Sequence, residues 1–172
     1  MRRVIFAINL IIITLLFTSC INNSKDITSF NLSFSGIVEI NDTNNNYKCK
    51  ITYSTNDVAK IKILEPNILN GLTFNWLGNN YNIEYKELLC KSDVQYLSET
   101  SFASVLIDVL NKCNNSNNLK YVSKNNDIIT LIGNIENSTF TVEYNNKSNI
   151  LKKIKINKLG YKYIFSNIIN TN

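Results

Sequence analysis

From Phe30 onward, apolar and polar residues alternate with a period of two over most of the chain, the signature of strands with one buried face. Phe30, Leu32, Phe34, Val38 and Ile40 oppose Asn31, Ser33, Ser35 and Glu39, with Gly36 marking a bend or bulge. Tyr47, Cys49, Ile51 and Tyr53 then oppose Lys48, Lys50 and Thr52. The Asn-rich stretch 41–46 between these runs reads as a hairpin connection. Ala59, Ile61 and Ile63 oppose Lys60 and Lys62 before Pro66 and an Asn70-Gly71 turn signal interrupt the pattern. Leu72, Phe74 and Trp76 share one face of a strand over 72–78, and Tyr81, Ile83 and Tyr85 one face of a single strand over 81–90. Further strands are expected at 119–124, 127–136, 139–144, 150–157 and 161–167.

One segment departs from this rhythm. Over 98–113, Phe102, Val105, Leu106, Val109, Leu110 and Cys113 recur at helical spacing, with Ser98 or Thr100 as N-cap and an Asn-rich stop. The expected class is therefore α+β, mostly antiparallel β: a curved half-barrel sheet of about 8–10 strands wrapping one amphipathic helix. Strands spaced about 4.8 Å apart make a sheet roughly 40 Å wide, and one helix 10–12 Å across cannot cover it flat, so the sheet must curl. Curling leaves two outcomes open. Either an apolar concavity lined by Phe34, Tyr53, Ile63, Phe74, Trp76, Tyr85, Phe102 and Leu106 takes a lipid, an acyl chain or another hydrophobic ligand, or these side chains fill a core.

Upstream of the strands the pattern is different again. Arg2 and Arg3 precede fourteen almost wholly apolar residues, 4–17, and then Thr18-Ser19-Cys20. A membrane span needs about 20 apolar residues, whereas a signal-peptide core needs roughly 7–15 after a basic start. The length therefore selects a signal peptide. Its end resembles the lipobox of bacterial lipoproteins, with Phe17 at the usual Leu position and small Thr18 and Ser19 before Cys20. That resemblance implies cleavage between Ser19 and Cys20 and a diacylglyceryl group on the Cys20 sulfur. Two acyl chains suffice for stable anchoring where one does not. The expected organisation is a lipoprotein signal peptide at 1–19, a lipidated polar tether at 20–29 and a folded domain at 30–168, on the extracytoplasmic face of a bacterial membrane.

Charge and chemistry narrow the function. Removing residues 1–19 removes both arginines and leaves sixteen lysines against thirteen carboxylates. Bidentate phosphate and guanine recognition relies on arginine, so nucleic acid is not expected as a partner. The lysines alternate with apolar residues instead of forming runs, as on a solvated sheet face. Histidine is absent, which removes the usual general base, nucleophile partner and zinc ligand. Asp42 opens a D-x-N-x-N stretch, but Tyr47 stands at the glycine position of a calcium loop and Tyr53 at its glutamate. Glu84 and Glu87, three apart on one strand, face opposite ways and make no acid/base dyad. Cys49, Cys90 and Cys113 cannot all pair, and no CxxC is present; buried inert thiols are expected at Cys49 and Cys113, with a Cys49–Cys113 or Cys90–Cys113 disulfide as the alternative. No enzyme activity, cofactor or metal is expected.

The sequence "ILEPNILNGLTFNWLGNNYNIEYKELL", with Pro66, Leu69 and Gly71 in its turn, a short amphipathic helix and a closing meander, resembles uncharacterised lipoproteins of Firmicutes. These are similar in layout to lipoprotein carriers of the LolA/LolB type. The resemblance covers about residues 30–168. It implies an open antiparallel half-barrel with a helical lid and a hydrophobic cavity for acyl chains, and the expected function is that of a non-catalytic domain binding a lipid or other hydrophobic ligand or a partner protein. A structural or signalling lipoprotein with a filled core is the competing expectation.

Overall fold

The computed structural model describes residues 32–55, 58–93, 98, 100–114, 119–136 and 138–171. The expected signal peptide, Ser19, Cys20 and the expected tether lie outside the described residues. Eleven strands form one sheet: β1 (Phe34–Asn41), β2 (Asn46–Ser54), β3 (Val58–Glu65), β4 (Thr73–Leu77), β5 (Asn80–Tyr85), β6 (Leu88–Asp93), β7 (Leu119–Asn125), β8 (Ile128–Ile135), β9 (Ser138–Asn145), β10 (Ile150–Ile156) and β11 (Lys162–Asn170). A 3-10 turn, Asn67–Leu69, sits between β3 and β4, and the helix α1 (Phe102–Asn114) between β6 and β7.

Strand order is β6-β5-β4-β3-β2-β1-β11-β10-β9-β8-β7. Every pairing is antiparallel. From β1 in the middle, the chain meanders out to one edge at β6, crosses to the opposite edge at β7 through α1, and meanders back until β11 closes on β1. The sheet is open and curled around the helix. Short, lysine-bearing edge strands, with Lys91 on β6 and Lys120 and Lys124 on β7, discourage further pairing at its two ends.

The alternation expected from sequence sets the two faces. Phe34, Val38 and Ile40 of β1, Cys49, Ile51 and Tyr53 of β2, and Ala59, Ile61 and Ile63 of β3 are buried toward α1. Their neighbours Lys50, Lys60 and Lys62 are exposed on the convex side. β9 alternates most strictly, burying Phe140, Val142 and Tyr144. Glycine supplies room at two places on the inner face. A Cβ on Gly133 would lie 2.4 Å from Cζ of Phe140, its cross-strand partner, so the absent side chain is what seats that ring. At Gly36 a Cβ would meet Ile168 Cδ1 at 2.3 Å, beside the irregularity in the β1–β11 register between Ser35 and Ile37.

Two features differ from the sequence expectation. The strand expected over 81–90 is two strands, β5 and β6, which raises the total to eleven instead of about 8–10. The reversal runs through Lys86 at φ 53°, and Tyr85 pairs with Leu88. Neither Lys86 nor Glu87 is a turn residue by chemistry, so the alternation conceals the turn. The helix begins later than expected, at Phe102, with Ser101 as its cap instead of Ser98 or Thr100. The Ser101 Oγ accepts the Ser104 backbone N–H at 3.1 Å, satisfying one of the free donors of the first turn.

Candidate functional site

Both ends of α1 are fixed to β2, so the helix runs alongside that strand at the centre of the sheet. At its start the Phe102 ring stacks on Tyr47 with centroids 4.7 Å apart and meets Phe74 edge-on at 6.0 Å. The Tyr163 hydroxyl donates to the Phe102 carbonyl at 2.9 Å, and the Tyr161 hydroxyl to the Thr100 carbonyl at 2.9 Å. At its end the Tyr53 hydroxyl donates to Asn111 Oδ1 at 2.6 Å and accepts from Asn114 Nδ2 at 2.8 Å. Asn114 Oδ1 in turn accepts the Leu32 backbone N–H at 3.1 Å. A helix of thirteen residues spans about 20 Å, the same as β2 between Tyr47 and Tyr53. The match lets polar contacts clamp both ends while Ala103, Val105, Leu106, Ile107, Val109, Leu110 and Cys113 bury the apolar surface between them.

The eight residues expected around an apolar concavity divide by burial. Phe34, Tyr53, Ile63 and Leu106 are exposed by 1% or less and Trp76 by 4%, so they pack as core between sheet and helix. Phe74, Tyr85 and Phe102 are half-buried. Phe74 lies between Trp76, at 6.0 Å, and Phe102. The Tyr85 hydroxyl donates to the Ile68 carbonyl at 2.8 Å. The structure thus brings Phe74 and Phe102 together with Tyr47, which sequence reading did not single out. Its signal was present, since Tyr47 begins the apolar face of β2 as Tyr53 ends it.

The titratable groups that burial perturbs are part of the core. Burial pushes the Cys49 and Cys113 thiols up to about 12, and it raises the Tyr163 hydroxyl well above the ordinary phenol range. All three stay protonated and neutral through the physiological range. The three thiols Cys49, Cys90 and Cys113 are free, with Cys90 exposed on β6, so neither alternative disulfide forms. At the β1–β2 turn the Asp42 carboxylate accepts the Thr43 backbone N–H at 2.5 Å and the Thr43 hydroxyl at 3.0 Å, serving the turn itself. Glu84 faces Asn75 and accepts its Nδ2 at 2.9 Å, while Glu87 lies in the β5–β6 turn.

The lysines that alternate with apolar residues in the sequence lie on the solvated convex face, where strand register brings some of them together. Register sets Lys50 directly opposite Lys62, and Lys155 directly opposite Lys162. Lysines spaced apart in sequence therefore cluster across strands. The carboxylates Glu65 and Glu143 are engaged by Lys48 at 3.5 Å and Lys153 at 2.6 Å.

An open, curled antiparallel sheet clamped onto one central helix is the class of domain these observations define. Comparison with known proteins finds no matching family model and no matching curated protein. Among solved structures, an uncharacterized conserved protein from Thermus thermophilus is similar with a TM-score of 0.55 at 8% identity, covering 83% of this chain and 80% of that one. A LolA superfamily protein from Nitrosomonas europaea is similar with a TM-score of 0.44 at 11% identity over 90% of this chain and 93% of that one. A chain in the structure of the CwlD amidase from Clostridioides difficile in complex with the GerS lipoprotein is similar with a TM-score of 0.45 at 16% identity, over 83% and 85%. No helix among the described residues is long and apolar enough to cross a membrane.

Proposed function

We propose that this protein is a lipid-anchored, extracytoplasmic binding protein that acts through its outer surfaces and carries out no covalent chemistry. The anchor reading rests on the basic start, the fourteen-residue apolar core and Thr18-Ser19-Cys20, with the Cys20 sulfur diacylglycerated and residues 1–19 removed. The observation that carries the rest is the packing between helix and sheet. Residues expected to line a concavity, Phe34, Tyr53, Ile63 and Leu106, have 1% exposure or less, which supports a filled core over an internal ligand site. The buried thiols and Tyr163 are held neutral, as structural groups are. Contacts with a partner then fall to the convex face and the sheet edges.

A second reading keeps an apolar ligand. It is favoured by the half-buried aromatic group of Tyr47, Phe74 and Phe102 at the start of α1, where an acyl chain would enter if the helix moved. Cell fractionation with labelled lipid tests the anchor: the parent protein takes up label and stays with the membrane, and Cys20→Ser does neither. Label and retention that survive Cys20→Ser would refute it. Native mass spectrometry of the protein after exposure to a lipid extract separates the two binding readings, since a filled core retains no lipid beyond the covalent one.

A further inference from the structure

We infer that the convex face of the sheet is a docking surface for an anionic phospholipid bilayer, which holds the domain flat against the membrane that its N-terminus reaches. The inference rests on the anchor reading for its setting, and on the sheet register for its evidence. Lys50 and Lys62 are opposite one another on β2 and β3, with Lys60 beside them on the same face. Lys155 and Lys162 are opposite one another on β10 and β11. Directly opposed like charges destabilise a sheet. Each pair is exposed, and none of these five lysines is within ion-pair distance of a carboxylate among the described residues.

The two clusters flank the sheet midline, where β1 and β11 meet, with four strand spacings from β3 to β10, or roughly 20 Å. Glu39 lies between them, Glu65 and Glu143 are taken up by Lys48 and Lys153, and Asp42, next to the cross-strand partner of Lys162, is engaged by Thr43 in its own turn. Such an array of isolated ammonium groups suits a plane of phosphate headgroups, for which lysine acts as a point charge and no fork geometry is needed. Among the described residues, the cross-strand partners of the five lysines are Ile37, Asn41, Thr52, Thr73, Asn75, Thr141 and one another, so no aromatic ring stands opposite them for bases to stack on. The eleven residues between Cys20 and Leu32 reach at most about 40 Å, so an anchored domain stays within range of the surface and weak contacts suffice.

The test uses the full lipidated protein reconstituted into vesicles of phosphatidylcholine alone or of phosphatidylcholine mixed with phosphatidylglycerol. Brief amine acetylation is read lysine by lysine by mass spectrometry. On the anionic vesicles, Lys50, Lys60, Lys62, Lys155 and Lys162 should react about five-fold more slowly than on neutral ones. That protection should vanish at about 1 M salt, where the screening length falls to about 3 Å. Lys112 on the helix and Lys147 in the β9–β10 turn should not change. Equal rates on both vesicles, or protection spread evenly over all lysines, would overturn the inference, as would protection by soluble polyphosphate but not by vesicles. Protein that fails to stay on neutral vesicles would count against the anchor alone. The face is then judged by flotation with anionic vesicles, where loss in the Lys50→Gln, Lys62→Gln, Lys155→Gln, Lys162→Gln variant supports it and equal recovery of parent and variant overturns it.

Discussion

Leu106→Ala is the substitution that asks most of the proposed filled core. Leu106 is fully buried on α1, at the centre of the layer between helix and sheet. The change removes three carbon groups, worth about 0.8 kcal/mol each in transfer free energy, or about 2.4 kcal/mol. If the surrounding side chains cannot collapse into the space, a cavity term adds to this, and Leu→Ala changes in such sites cost about 3–5 kcal/mol in total. Tyr163 and Tyr53 hold the two ends of α1 by hydrogen bonds, which limits how far the helix can settle inward. The upper part of that range is therefore expected. Urea denaturation of parent and variant, followed by far-UV circular dichroism, measures the difference. Leu88→Ala is the control, because Leu88 is 73% exposed and its truncation should cost less than about 0.5 kcal/mol. A Leu106→Ala cost below about 1 kcal/mol would mean that the site already contains space or yields easily, and the reasoning from packing would fail.

Tyr53→Phe should cost about 1–3 kcal/mol, since it strips a partner from both Asn111 and Asn114; a double-mutant cycle with Asn111→Ala should show coupling, and strict additivity would contradict the clamp. Gly133→Ala should destabilise by about 1–3 kcal/mol because the new methyl group meets the Phe140 ring, and an unchanged urea midpoint would show that the ring moves freely. In native protein at pH 8, Cys90 should alkylate while Cys49 and Cys113 react only after denaturant is added; native labelling of either buried thiol would refute its protection. Because the folded state holds these two thiols protonated up to about 12, against an ordinary value of 9.0, their stabilisation is complete below pH 9 and is lost as pH rises toward 12. Stability should fall by about 3 kcal/mol per pH unit within that window from the two together, a slope that Cys49→Ala with Cys113→Ala removes; parallel pH curves for parent and variant would overturn this.

Most of the fold is legible in the sequence because the strands inside the sheet have one wet and one buried face, whereas the edge strands β6 and β7 are exposed almost throughout. The period-two pattern marks β1–β4 and β8–β11, and the one helical period marks α1. The β5–β6 hairpin is not legible, since Lys86 takes a left-handed conformation that its chemistry does not favour and the turn carries neither Gly nor Asn. The Ser101 cap is obscured by the hydroxyl-rich stretch before the helix, where Ser98, Thr100 and Ser101 are equivalent until the geometry selects one. Burial was legible as hydrophobicity, but whether Phe34 or Leu106 lines a hollow or fills it depends on how tightly the sheet curls. Lysine clustering was not legible at all. Lys50 and Lys62 are twelve positions apart, and only the β2–β3 register makes them neighbours.

The proposed mature protein begins at a lipid-bearing Cys20, and the intact mass of the protein extracted from bacterial membranes tests this most directly. The predicted mass is that of residues 20–172 plus a diacylglyceryl group, with the modification on the N-terminal residue in the fragment spectrum. A species that retains residues 1–19, or one whose Cys20 is unmodified, would contradict it.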